Sequence, residues 1–126
     1  MWGFALITES NNNTLSIGER IFGYFPPSDY LNLNPIKISK ENFIDGKTHR
    51  RELPPVYNNY IRLSGEKNYD KEIDDIRALL FPLHITAFCL CAALQDQSSF
   101  TASQVIIIKS SSTTSIGLAQ ALSDWL

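Results

Sequence analysis

Gln104-Val105-Ile106-Ile107-Ile108-Lys109-Ser110-Ser111-Ser112-Thr113-Thr114-Ser115-Ile116-Gly117-Leu118-Ala119-Gln120-Ala121-Leu122 is the stretch on which the reading of this chain turns. Its opening β-branched run suits a strand covered on both faces, as in a parallel sheet. Small hydroxyl residues follow, and from Leu118 the sequence is helix-forming. Strand, small-residue loop and helix, in that order, open a dinucleotide-binding unit. A phosphate cradle needs small residues that let backbone N–H groups approach the anion, placed where a helix N-terminus adds its positive end. Ser110, Ser111, Ser112, Thr113, Thr114, Ser115, Ile116 and Gly117 are therefore the candidate pyrophosphate contacts. The usual fingerprint has three glycines; this loop has Gly117 alone, with hydroxyls in the other places. The competing reading is a plain strand-to-helix loop with Ser/Thr capping.

Upstream of a break at Gln97-Ser98-Ser99, the sequence predicts two helices. One covers residues 70–80, with Ile73, Ile76, Leu79 and Leu80 at helical spacing and acidic residues near its start. The other covers 83–95, begun by Pro82, with Ile85, Phe88, Cys89, Ala92 and Ala93 on one apolar side. Residues 79–94 are the most apolar window. Pro82 and His84 interrupt them, and they fall short of the roughly 20 residues a bilayer span needs, so a buried helix is expected. Residues 1–39 read as short strands divided by turns. These are an apolar run from Trp2, then Ile21-Phe22-Gly23-Tyr24-Phe25 stopped by Pro26-Pro27, then extended pieces around Tyr30, Leu31, Leu33 and Ile36-Lys37-Ile38. Residues 40–69 have weak periodicity and read as a long functional excursion or lid.

The 126 residues allow one ordinary domain or pieces of two, and 44% apolar with 19% charged residues mark a globular chain. A net charge of −2 gives no sequence-wide attraction to phosphate backbones, so nucleic acid is not an expected partner. The only cysteines, Cys89 and Cys91, stand two apart on a helix and point to different sides, where a disulfide is geometrically poor; both are expected as small buried hydrophobes. Residues 1–7 lack a basic start, and a cytoplasmic protein without a membrane partner is expected. No metal site is expected, since His49, His84, Cys89 and Cys91 lack ligand spacing. The cluster Tyr57-Asn58-Asn59-Tyr60 with Arg62 offers aromatic faces and hydrogen-bonding groups. Tyr57, Asn58 and Tyr60 are candidates to line a small-molecule substrate pocket, and a tyrosine can protonate a carbonyl being reduced; the alternative is aromatic packing with wet hydroxyls. The charged run from Lys67 to Asp75 reads as a solvated face.

Three motifs recur in order: Met1-Trp2-Gly3-Phe4-Ala5, Gly18-Glu19-Arg20-Ile21-Phe22-Gly23-Tyr24-Phe25-Pro26, and Leu53-Pro54-Pro55-Val56-Tyr57-Asn58-Asn59-Tyr60-Ile61-Arg62. Together they resemble the uncharacterised domain of unknown function 2855 family, over nearly the whole chain. That family is in turn distantly similar to the zinc-less, quinone-reductase-like branch of the medium-chain dehydrogenase/reductase superfamily. The resemblance implies a mixed α/β fold: part of a GroES-like β-barrel over 1–69 with the excursion at 40–69, connecting helices over 70–97, and the first strand and helix of a Rossmann domain over 98–126. Ile17-Gly18-Glu19-Arg20-Ile21 is similar to the superfamily's Val-Gly-Asp-Arg-Val strand start. Ile85-Thr86-Ala87 is similar to its Leu-Thr-Ala turn beside the nicotinamide, which makes Thr86 a candidate cofactor contact. Gly117 matches the end of its Ala-x-x-Gly-x-x-Gly loop, with Thr114 and Ser111 in the earlier places. The implied protein is an NAD(P)-dependent oxidoreductase without metal, acting on a carbonyl or activated alkene and able to form a homo-oligomer; the alternative is a non-catalytic binding protein on the same fold. The resemblance also implies an internal fragment that is loosely packed and inactive by itself, with the residue that selects NAD or NADP beyond Leu126.

Overall fold

The computed structural model describes residues 1–96, 104–109 and 111–125. They divide into two compact units, Met1–Ala78 and Leu79–Leu126. The fold is mixed α/β: an antiparallel sheet comes first and two helices follow.

The sheet has five strands, β1 (Trp2–Leu6), β2 (Arg20–Tyr24), β3 (Pro35–Ile36), β4 (Asn42–Asp45) and β5 (Asn59–Arg62), in the order β1-β2-β5-β4-β3. It is open, with β1 and β3 at its edges, and the expected barrel closure is absent among the described residues. β3 explains part of this. It is two residues long and one of them is Pro35, which has no N–H to give a further strand. The pieces around Tyr30 and Leu33 form no strand; Asn34 instead bonds the end of β4, its N–H donating to Asp45 Oδ1 at 2.9 Å.

Register sorts the side chains onto two faces. β1 pairs β2 from Trp2 opposite Tyr24 to Leu6 opposite Arg20, so Trp2, Phe4, Phe22 and Tyr24 share one face. The other carries the core of Leu15, Ile21, Phe43 and Tyr60, with Ala5, Ile7, Phe25, Leu33 and Ile38 packed against it. Phe43 lies opposite Tyr60 across β4 and β5, and their rings stack at 5.4 Å. Gly23 is required where it stands, because a Cβ there would lie 2.4 Å from the Tyr60 ring.

Residues 40–69 are thus no excursion. They hold two of the three interior strands, β4 and β5, and two of the fully buried rings of the sheet, Phe43 and Tyr60. Each of these strands is four residues long with one aromatic residue on the core face, which is too short for a period of two to stand out.

The two expected helices are one. α1 runs unbroken from Asp74 to Asp96 with Pro82 inside it, after a 3-10 turn at Lys71–Ile73 capped by Asp70. Pro82 removes one hydrogen bond, to the Ala78 carbonyl, at a cost of about 3 kcal/mol, but a fresh start after it would require a second unfavourable helix nucleus. Strong helix formers on both sides favour continuity. The interruption at Pro82 therefore does not shorten the apolar run: residues 71–96, the 3-10 turn and α1 together, are long and apolar enough to cross a membrane by length and composition, and their most apolar 18 residues have a mean hydropathy of 1.8 with 11% buried. Cys91 is buried as expected, whereas Cys89 is exposed.

The last element, α2, spans Thr113–Trp125. Residues 104–109 form no strand among the described residues, since a parallel strand exists only through hydrogen bonds to a neighbour and none is in place beside them. The break at 97–99 lies outside the described residues.

Candidate functional site

In the sheet unit the polar side chains gather around two arginines. Arg50 ends a 3-10 turn at Thr48–Arg50 and is 7% exposed. Its Nε donates to Asn58 Oδ1 at 3.0 Å, Nη1 to the Tyr60 hydroxyl at 2.8 Å and Nη2 to the Tyr57 carbonyl at 2.5 Å, while Asn58 Nδ2 returns a bond to the Arg50 carbonyl at 2.7 Å. The Tyr60 hydroxyl donates onward to the Tyr24 carbonyl at 3.1 Å. Asp45, whose side chain is fully buried, supplies the counter-charge 3.7 Å from Nη1, and its Oδ1 accepts from the Asn34 and Lys47 amides. Burial pushes the Tyr60 phenol above its ordinary value, with the Arg50 charge pulling the other way.

This placement assigns the three tyrosine-cluster candidates. Tyr60 is fully buried with its hydroxyl engaged on both sides, and Asn58 is buried with both ends of its amide bonded. Tyr57 joins a ring cluster, 5.0 Å from Tyr24 and 6.1 Å from Trp2. Through these bonds and ring contacts they tie the 48–58 stretch to the sheet.

The second arginine is Arg62. It pairs with Glu19 through Nε to Oε1 at 2.6 Å and Nη2 to Oε2 at 2.9 Å, and also donates to the Ser39 and Thr14 carbonyls. Ser64 adds a third bond to the carboxylate. The Arg62 bond is the largest of the effects that hold the Glu19 carboxyl below its usual value. Arg20 contacts Asp74, at 2.6 Å, and the Tyr69 hydroxyl, which donates to Asp74 in turn. Gly18-Glu19-Arg20 thus fastens the start of β2 to β5 through Glu19 and to the first turn of α1 through Arg20. The sequence singled out Glu19 and Arg20 in that motif; Arg50 carried no signal, because a charged residue in a weakly periodic stretch reads as surface.

In the second unit, the hydroxyl loop is largely helix. Ser110 lies outside the described residues and Ser111 is in a turn, but Thr113, Thr114, Ser115, Ile116 and Gly117 already belong to α2. Ser112 is its N-cap: its Oγ accepts from the Ser115 amide at 3.2 Å and lies 2.7 Å from Ser115 Oγ, and its carbonyl accepts from the Ile116 amide at 3.0 Å. The amides of Thr113 and Thr114 lie in the first turn, where a helix supplies no carbonyl of its own and where its dipole is positive. Gly117 faces α1, where a Cβ would approach the Cβ of Ala87 to 3.2 Å, and Ala87 is 1% exposed. Thr86, one residue before it, is exposed and donates its hydroxyl to the Pro82 carbonyl at 2.8 Å. A pocket of about 350 Å³ brings Ser115 and Ile116 together with Ile107, Ala119, Gln120 and Ser123. No group of three or more His, Cys, Asp or Glu side chains that could hold a metal ion occurs among the described residues.

A family model described as "Protein of unknown function (DUF2855)" matches residues 1–124. No curated protein and no solved structure matches the chain.

Proposed function

The chain belongs to the DUF2855 family of proteins of unknown function, and from that premise we propose that it forms part of a cytoplasmic, zinc-independent NAD(P)-dependent oxidoreductase acting on a carbonyl or activated alkene. The observation that carries the proposal is the start of α2. A β-branched run leads through a hydroxyl-rich turn into a capped helix whose first amides and dipole suit a diphosphate, and whose Gly117 lacks the side chain that would push it from α1. In support, Ser111 and Thr114 carry hydroxyls just before and inside the first turn of α2, and Thr86, the candidate contact for the nicotinamide end, is exposed on α1. When bound, the nicotinamide would supply the hydride, and the protein would supply position and electrostatics.

Titration of the purified chain and of its longest natural form with NADPH and NADH tests this. Saturable binding that Gly117→Val weakens at least tenfold is the expected result. Absence of binding by the longest form at millimolar cofactor would overturn it.

A second reading has its own observation. Leu79, Leu90 and Leu94, on one side of α1, are 68%, 45% and 37% exposed, an apolar surface that suits a non-catalytic binding protein whose partner covers that side of the helix. Failure of cofactor binding, together with stoichiometric retention of a partner that a charged substitution at Leu90 abolishes, would favour it.

A further inference from the structure

No further inference is drawn: the strongest candidate, the groove of about 1340 Å³ that runs along β1 and the 25–35 stretch over Phe4, Ala5, Ile21 and Phe43, is an open surface at a sheet edge with nothing in the structure to show what covers it.

Discussion

Arg50 is where the largest single-residue effect is expected. Its guanidinium is buried against Asp45 and bonded to Asn58, Tyr60 and the Tyr57 carbonyl. Arg50→Met leaves the Asp45 carboxylate buried without a counter-charge and should cost about 3–5 kcal/mol in urea unfolding. Tyr60→Phe strands only one donor and one acceptor and should cost less, about 1–3 kcal/mol. If the two variants are equally stable, the charge is not the dominant element of the cluster. Glu19 gives a prediction in pH. Its carboxyl sits below the ordinary 4.5 in the folded chain, so its pairing with Arg62 stabilises the fold fully above that value, and the contribution is lost as pH falls through the lowered one. Stability measured from pH 7 to pH 2 should fall more steeply for the natural chain than for Glu19→Gln, which starts lower and lacks this titration.

At the scale of elements, the test positions are close backbone approaches. A Cβ on Gly65 would lie 2.2 Å from the Lys40 carbonyl oxygen, and backbone on both sides leaves no flexible group to yield. Gly65→Ala should therefore destabilise the sheet unit by about 1–3 kcal/mol, whereas Gly3→Ala, which meets nothing within 4 Å, should lie within about 0.5 kcal/mol of the natural chain. Pro82→Ala supplies the missing N–H to the Ala78 carbonyl and should raise the thermal midpoint of α1 by circular dichroism. β1 and β2 were legible in the sequence because each carries several β-favouring apolar residues in a row between turn signals. β4 and β5 were not, because the features that make them interior strands, one aromatic residue each and hydrogen bonds to partners far along the chain, lie outside any local window. Similarly, the helix around Pro82 was cut in two by a local rule that the surrounding sequence overrides. In the candidate site, the order of β-branched run, hydroxyl residues and helix was readable from composition. The exact start of α2 was not, since Thr113 to Gly117 are indifferent helix formers and the Ser112 cap decides where the helix begins.

For the whole molecule, the exposed apolar residues set the behaviour. Ile106 and Ile108 are 85% and 96% exposed in a β-branched run, and β1 leaves a sheet edge open. Runs and edges of this kind pair with other chains. The purified chain should show a mass above that of one copy in light scattering, rising with concentration, and Ile106→Lys with Ile108→Lys should lower it; a constant single-copy mass would contradict this. Exhaustive chelation should leave the circular dichroism and melting curve unchanged, whereas loss of a stoichiometric metal with loss of structure would contradict the donor set described above. One further consequence is optical. Trp2 stacks on Phe22 at 5.9 Å and stands 5.7 Å from Tyr24 and 6.1 Å from Tyr57, so light absorbed by those phenols should pass to the indole and emerge as tryptophan fluorescence. The ratio of emission under tyrosine and tryptophan excitation is then a built-in ruler for whether β1 lies on the sheet, readable in a Trp125→Phe chain without any added label.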